Sequence, residues 1–289
     1  MISKSPIRLT TITAACLIFA VYPRVSGAQP APPSPAAAAA GTLSYADIAD
    51  LADAAPLVAV AKIRNIIILP PERAGTVPAG RRRLYLEAEV QNLIRGDGGI
   101  SPTVTYLYDA PLDARGKVPK LKKADVILFA QRGTRPGEIQ LVTRDAQLPA
   151  TPANREQTRA ILADLMASGA PPRIIGLGDA FHVPGTIAGE GETQIFLRTE
   201  NGDPVSLSIL RRPGQAPRWA VALGEIVDEA ARPPAPGSLL WYRLACSLPQ
   251  TLPDRSVGAL SPPDADAARA DYAFVIQALG RCERTRSAS

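Results

Sequence analysis

Short apolar runs separated by turn residues occur along most of the chain, a pattern typical of a β-rich protein. The clearest run spans residues 84–91, in which every second side chain is apolar and the others are polar or aromatic. A period of two indicates a half-buried strand. Apolar and β-branched content predicts four further strands in this half of the chain, at 57–69, 102–108, 124–131 and 138–143.

The second half of the chain shows the same pattern. Strands are predicted at 194–199 and 205–211, and the Asn201-Gly202 pair between them favours a tight hairpin turn. Further strands are predicted at 218–226 and, in the apolar run that follows a Pro-rich linker, at 238–246. The sequence therefore predicts antiparallel sheet in both halves.

Three helices are predicted between and after these strands, at 44–54, 151–168 and 264–279. Ser44 and Thr151 are suitable N-cap residues, and Gly280 is a suitable C-cap for the last helix. A Gly-Pro-rich stretch ends the second helix, and we place a domain boundary there. The fold class is accordingly mainly β with a few helices, as two small antiparallel β-rich modules: 42–169, ending in a helix, and 170–289, with a C-terminal helix.

The first 28 residues have the three parts of an export signal. A short basic start precedes an apolar run, and small residues end the segment at Ala28, where we expect cleavage. A membrane anchor would need roughly 20 apolar residues, and Pro23 and Arg24 interrupt this run too early. Lipid attachment at Cys16 is the other alternative, but that cysteine lies inside the apolar run. We therefore predict a signal peptide at 1–28, a periplasmic or secreted protein, and no stable membrane span after cleavage.

Removal of that leader changes the composition of the chain. Residues 29–41 are a Pro/Ala-rich lead-in of low complexity, expected to be disordered. The full chain holds 32 Lys and Arg against 27 Asp and Glu, but three of the bases lie in residues 1–28, so the net charge falls to about +2. We therefore expect no nucleic-acid partner. Arg81–Arg83 and Arg211-Arg212 are interpreted as solvated basic residues.

The cysteine count supports the same compartment. Without Cys16, the chain keeps Cys246 and Cys282, an even pair that an oxidising compartment would join as a disulfide. That bridge would fasten the terminal helix to the strand predicted at 238–246. Two cysteines and a single histidine do not make a zinc site, so no metal and no cofactor are expected.

Four segments between residues 57 and 143 carry a resemblance: PLVAVAKI, LEAEVQNLIRGDG, TVTYLYD and ADVILFA. In this order they resemble the netrin-like, or tissue-inhibitor-of-metalloproteinases-like, OB-type barrel found in exported bacterial proteins. The resemblance implies a small closed barrel used as an interaction module. The inhibitors of that family chelate a catalytic zinc through an N-terminal cysteine. The expected mature N-terminus here is Gln29, and the barrel region contains no cysteine, so no functional residue carries over.

Candidate catalytic residues are few. His182 is the single histidine and could serve as a base, but no GxSxG nucleophile motif accompanies it. The glycine-rich stretches 176–179 and 185–191 match no phosphate-binding motif and are interpreted as loops. Three aromatic residues are interpreted as core (Trp219, Trp241 and Tyr242), and two carboxylates as helix-start residues (Asp264 and Asp266).

Together these patterns predict an exported, non-catalytic binding protein whose partner is a protein or an envelope component. The alternative is a hydrolase-like enzyme that uses His182. No catalytic, cofactor-binding or metal-binding residue is assigned, and whether the protein is an enzyme stays open at this point.

Overall fold

The computed structural model describes residues 43–224 and 232–286. The predicted signal peptide (1–28) and Pro/Ala-rich lead-in (29–41) lie outside the described residues, as do the last residues of the strand predicted at 218–226.

Six strands form the first sheet. Its antiparallel order is β3-β2-β1-β4-β5, and β6 also pairs with β4. The strands are β1 (Leu57–Ile68), β2 (Arg81–Arg95), β3 (Thr103–Pro111), β4 (Asp125–Arg132), β5 (Ile139–Leu141) and β6 (Gln147–Pro149). All five strands predicted in this half are therefore confirmed, and β6 is added.

The alternation in β2 is confirmed by the burial of its side chains. Leu84, Leu86 and Ala88 are fully buried, and the residues between them are not. The ladder does not close into a barrel, however. Between β3 and β5 the described residues hold one isolated parallel bridge, from Thr105 to Glu138. An OB-type barrel therefore stays a prediction.

Four strands form the second sheet, in the antiparallel order β10-β9-β8-β7. They are β7 (Ile174–Pro184), β8 (Gly191–Thr199), β9 (Val205–Arg211) and β10 (Arg218–Ala222). The predicted β8–β9 hairpin is confirmed, but the tight turn is not. Residues 200–204 connect the two strands, and within the Asn201-Gly202 pair positive φ occurs at Gly202 (82°) and not at Asn201.

The interpretation of residues 176–179 as a loop is wrong, because these residues lie within β7. Gly178 packs against the next strand so closely that a Cβ there would lie 3.3 Å from the carbonyl oxygen of Phe196. Glycine in this position allows two strands to approach, rather than marking a turn.

Within the described ranges the α-helices are α1 (Tyr45–Ala54), α2 (Pro71–Ala74), α3 (Pro152–Met166), α4 (Leu239–Ala245) and α5 (Pro262–Leu279), and a short 3₁₀ helix lies at Asp254–Val257. The three predicted helices are confirmed as α1, α3 and α5. Ser44 and Thr151 cap the first two, since their hydroxyls accept hydrogen bonds from Asp47 N and Asn154 N. Ser261 caps the third, and Asp264 lies in its first turn, as expected.

The strand predicted at 238–246 is wrong, because this segment is α4. The Ser238 hydroxyl accepts a hydrogen bond from Trp241 N at 3.2 Å and so begins a helix. Leu239 and Tyr242 are buried three residues apart, as one helix face requires. A short, mostly apolar run has no periodicity that separates strand from helix.

Each sheet has its own hydrophobic core. α1 and α3 pack with the first sheet, and α5 packs with the second. α4 contributes to both, since Tyr242 belongs to the first core and Leu244 to the second. Leu43–Ser289 form one compact unit, within which the predicted boundary at 169/170 falls between α3 and β7. The fold class, mainly β with two antiparallel sheets and a C-terminal helix tied by a disulfide, is confirmed.

Candidate functional site

The predicted disulfide between Cys246 and Cys282 is present, with a Cα–Cα distance of 5.0 Å. It joins the residue that follows α4 to the segment that follows α5, so its partner element is a helix and not the predicted strand. Both cysteines are partly buried against the first core. The bridge therefore holds the chain terminus beside the first sheet.

Residues 281–286, which we call the C-terminal strap, continue from the disulfide onto α1. The backbone N–H groups of Thr285 and Arg286 donate to the buried carboxylate of Asp47 at 3.0–3.1 Å. Arg284 pairs with Asp50 at 2.6 Å. Burial acts to raise the pKa of Asp47, but the hydrogen bonds from Thr285, Arg286 and Ser44 outweigh it and lower that pKa.

A cleft of about 350 Å³ lies where α1, α4 and the start of β7 meet. The residues that line it include an ion-pair cluster centred on Asp53. Arg243 makes two parallel bonds to this carboxylate, at 2.7 and 2.9 Å, and Arg173 makes a third contact at 2.8 Å. Tyr242 donates to Asp50 on the same side at 2.7 Å. The charges that line the cleft are thus paired with one another, which is typical of a structural joint.

Of the arginines interpreted as solvated, Arg82 and Arg212 are exposed and form no ion pair within the described residues, but the other three are ion-paired. Arg83 lies within β2 and makes two parallel bonds to the buried Asp109, at 2.7 and 2.8 Å. Arg81 lies 3.1 Å from Asp145 in the same region. Each arginine faces a carboxylate that the fold buries, and the sequence shows no such pairing because the partners are far apart along the chain.

Arg211, also interpreted as solvated, belongs to a chain of polar contacts around His182. His182 Nδ1 lies 2.8 Å from the hydroxyl of Thr193, on the adjacent strand. That hydroxyl donates to Asp271 of α5, and Arg211 of β9 pairs with the same carboxylate. Thr193 and Asp271 are fully buried.

The direction of these hydrogen bonds decides whether His182 could act as a base towards Thr193. A hydroxyl has one proton, and that of Thr193 goes to Asp271, so Nδ1 of His182 must be the donor to Thr193. The order is therefore imidazole, hydroxyl, carboxylate. A nucleophile needs its hydroxyl next to both a base and a substrate, but this hydroxyl is buried. The geometry connects the second sheet to α5 and lends no support to hydrolysis by this pair.

The aromatic residues interpreted as core are confirmed in that role. Trp219 and Tyr242 are buried. Trp241 is half-buried, packs against both cores and donates its indole N–H to the carbonyl of Leu279 at 2.8 Å. None of the three is available as an exposed binding platform.

A group of exposed apolar side chains lies instead on the outer face of β7 and β8. Phe181, Val183 and Phe196 are 52%, 66% and 39% exposed, and we call them the aromatic patch. The two phenylalanine rings pack edge to face with centroids 5.8 Å apart. Sequence reasoning missed this patch, although the unbroken apolar run Ile195-Phe196-Leu197 signals a strand with apolar residues on both faces.

The patch adjoins a strand edge without backbone pairing, although the 3₁₀ helix Asp254–Val257 packs against β7. β7 ends the second sheet, and in the described part of the chain no other segment makes backbone hydrogen bonds to its outer edge. Glu192, the cross-strand neighbour of Val183, is exposed, and so is Asp179 in β7. Neither carboxylate forms an ion pair within residues 43–224 and 232–286.

Within the same described ranges, no three acidic, histidine or cysteine side chains are grouped as they would be to hold a metal ion. No helix in the described segments combines the length and the hydrophobicity needed to span a bilayer. A scan against protein-family models found no match, and a search of curated proteins found no significant relative.

Proposed function

We propose that this protein is a non-catalytic binding protein of the periplasm or the extracellular medium, and that β7 and the aromatic patch bind an extended segment of another polypeptide. The observation that carries the proposal is the combination of exposed apolar side chains with a strand edge that lacks backbone pairing, on the same sheet. An added strand supplies main-chain hydrogen bonds to such an edge, and its side chains contact the neighbouring face.

The charges near the patch indicate the chemistry of that segment. Glu192 and Asp179 leave unpaired negative charge beside the apolar side chains, and Arg198, two residues beyond Phe196 on the same face, offsets only one of these charges. The partner strand should therefore combine apolar side chains with lysine or arginine. A second copy of the same chain would bring these carboxylates towards each other and is disfavoured.

The proposal can be tested with two labelled octapeptides. In the first peptide, threonine at every second position alternates with valine or lysine. In the second peptide, glutamate replaces each lysine. We expect saturable binding of the lysine peptide in fluorescence anisotropy, and binding of the glutamate peptide that is weaker by at least about tenfold.

The variants for this test remove either the patch or other exposed apolar side chains. Phe181→Ser with Phe196→Ser should weaken binding by about tenfold or more without lowering the melting temperature appreciably. Met166→Ser with Ile68→Ser is the matched control, since both side chains are exposed elsewhere. Equal binding by the patch variant and the wild type, or an equal loss in the control, would contradict the proposal.

The location outside the cytoplasm is part of the same proposal. The disulfide supports it, because such bonds persist in oxidising compartments. N-terminal sequencing of the protein from the cells that produce it should begin at Gln29. An intact Met1 on protein recovered from the cytoplasm would be the opposite result.

We also propose that the first sheet belongs to the OB-type class that the netrin-like resemblance implies. The order β3-β2-β1-β4-β5, with a bridge from Thr105 of β3 to Glu138 next to β5, is the pairing that a five-stranded barrel needs. This support comes from topology alone, and it assigns no ligand to the first sheet.

A further inference from the structure

The loop between β3 and β4, residues 112–124, has an unusual concentration of positive charge. Five of its side chains are cationic and exposed, and a single carboxylate, Asp113, accompanies them. The five are Arg115, Lys117, Lys120, Lys122 and Lys123. We call this segment the basic loop, and it is a surface distinct from β7 and the aromatic patch.

The basic loop is held in place by its apolar residues and its backbone. Val118 and Leu121 are partly buried against the first core. The Asp113 carboxylate accepts hydrogen bonds from the backbone N–H groups of Arg115 and Lys117 at 2.9 and 2.8 Å. Lys123 N donates to the carbonyl of Ile63 on β1 at 2.9 Å. Because the apolar side chains point inward, the cations are presented outward on a supported backbone.

None of these five cations forms an ion pair in the part of the chain that the structure describes. Many of the other arginines differ, as Arg64 with Glu89 and Arg83 with Asp109 illustrate. Asp113 is occupied by its backbone hydrogen bonds. The basic loop therefore has uncompensated charge that an anionic surface can neutralise.

β1, the strand to which the basic loop is hydrogen-bonded, also has exposed aliphatic side chains. Beyond Ile63, β1 has no partner on the β4 side within the described residues. Near its end, Ile67 and Ile68 are 45% and 54% exposed and lie on opposite faces of the strand, since Ile68 is opposite the buried Leu84. Basic side chains together with exposed aliphatic ones are typical of proteins that lie on a membrane surface. An anionic polymer such as nucleic acid would explain the lysines but not the isoleucines.

We propose that the basic loop binds the surface of a bilayer that contains anionic phospholipid, with the unpaired edge of β1 towards the headgroups, so that Ile67 and Ile68 contact them from its two faces. Charge supplies most of the attraction in this arrangement, and the protein lies on the membrane without crossing it. Each lysine close to such a surface contributes about a fivefold factor in partitioning, so removal of three should weaken binding by roughly 100-fold.

The test is co-sedimentation of the full chain with vesicles of phosphatidylcholine, with and without one quarter phosphatidylglycerol. All samples are purified with the same N-terminus, so that any leader contributes equally. Wild type should bind the anionic vesicles in 50 mM NaCl and be released at 500 mM, where the Debye length is about half that at 0.15 M. It should not bind vesicles of phosphatidylcholine alone.

The decisive comparison uses two triple variants with the same change in charge. Lys120→Gln with Lys122→Gln and Lys123→Gln should lower the partition coefficient roughly 100-fold. The control replaces three exposed cations that lie elsewhere and form no ion pair within the described residues, by Arg159→Gln, Arg212→Gln and Arg255→Gln. Its partition coefficient should fall severalfold at most, because distant charges act weakly through salt.

Three results would overturn the proposal. One is wild-type binding by the lysine triple variant, and another is an equal loss in the control. The third is failure of the wild type to bind anionic vesicles. If a single-stranded DNA oligonucleotide then binds to it, the loop is assigned to a polymer instead. Circular dichroism of both triple variants checks that the folds are equal.

Discussion

Asp271 shows how a single buried carboxylate organises the second sheet. Thr193 donates to it from β8 and Arg211 pairs with it from β9, while its own backbone belongs to α5. A charge buried this completely is tolerated because each oxygen has a partner. His182 joins this network through its hydrogen bond with Thr193. The single histidine is therefore placed by a structural network.

Replacing Asp271 by asparagine should be strongly destabilising. The amide is neutral, so Arg211 loses its counter-ion and Thr193 loses a charged acceptor. We expect the free energy of unfolding to fall by about 2–4 kcal/mol, measured by urea denaturation.

The matched control for this variant is Asp266→Asn on the same helix. Asp266 has a side chain that is 82% exposed, with Arg269 at 3.4 Å. Exposed pairs contribute little, so we expect a change below about 1 kcal/mol. Similar losses for the two variants would show that Asp271 is not the organising group described above.

At the scale of the elements, local signals predicted most of the fold. Capping residues located α1, α3 and α5, and the Asn-Gly turn located the β8–β9 hairpin. The failures at α4 and β7 share a cause. Each segment is apolar or glycine-rich without a clear period, so its conformation depends on what it packs against. α4 became a helix between two cores, and β7 became an edge strand against Phe196.

The disulfide is the element-scale contact with the largest expected effect. Cys246 and Cys282 close a loop with a sequence separation of 36 residues. In the chain-entropy model a loop of this length contributes about 3–4 kcal/mol, so the double variant Cys246→Ser with Cys282→Ser should lose that amount in urea denaturation.

A reductant provides the internal control for this measurement. Dithiothreitol should lower the stability of the wild type to that of the double variant and leave the variant unchanged. A wild type that is insensitive to reductant, with both thiols free in mass spectrometry, would contradict the assignment.

For the whole molecule, the cluster around Asp53 is the main polar connection between the part built on the first sheet and the part built on the second. Asp53 lies in the last turn of α1, Arg243 lies in α4, and Arg173 precedes β7. Burial acts to raise the pKa of Asp53, but hydrogen bonds and charge from Arg243 and Arg173 outweigh it and lower that pKa below the ordinary 3.8.

This pKa shift predicts a pH dependence of stability. A lowered pKa in the folded state means that ionised Asp53 stabilises the protein above pH 3.8, and that this contribution is lost as the pH falls through the folded value. The difference in unfolding free energy between wild type and Asp53→Asn should be about 1–3 kcal/mol near pH 7 and shrink below pH 3.8.

Urea denaturation of both proteins between pH 3 and pH 7 would measure that difference, and the other carboxylates cancel in the comparison. Asp254→Asn is the control, because its side chain is 96% exposed. A difference for Asp53→Asn that stayed constant down to pH 3 would show that Arg243 and Arg173 do not lower the pKa of Asp53.

The order of helices and strands could be predicted from the sequence, because helix caps, turns and the alternation of apolar and polar residues depend on residues a few positions apart. The ion pairs could not, since their partners are 26 residues apart for Arg83 and Asp109, 60 for Arg211 and Asp271, and 190 for Arg243 and Asp53. A charged residue in a sequence is interpreted as solvated because most are. Burial opposite another charge is a property of packing, and so is the exposure of Phe181 and Phe196 at a sheet edge without backbone pairing. The candidate binding surface therefore emerged from the packing of β7 against β8, whereas the β-rich architecture and the disulfide followed from local pattern and cysteine number.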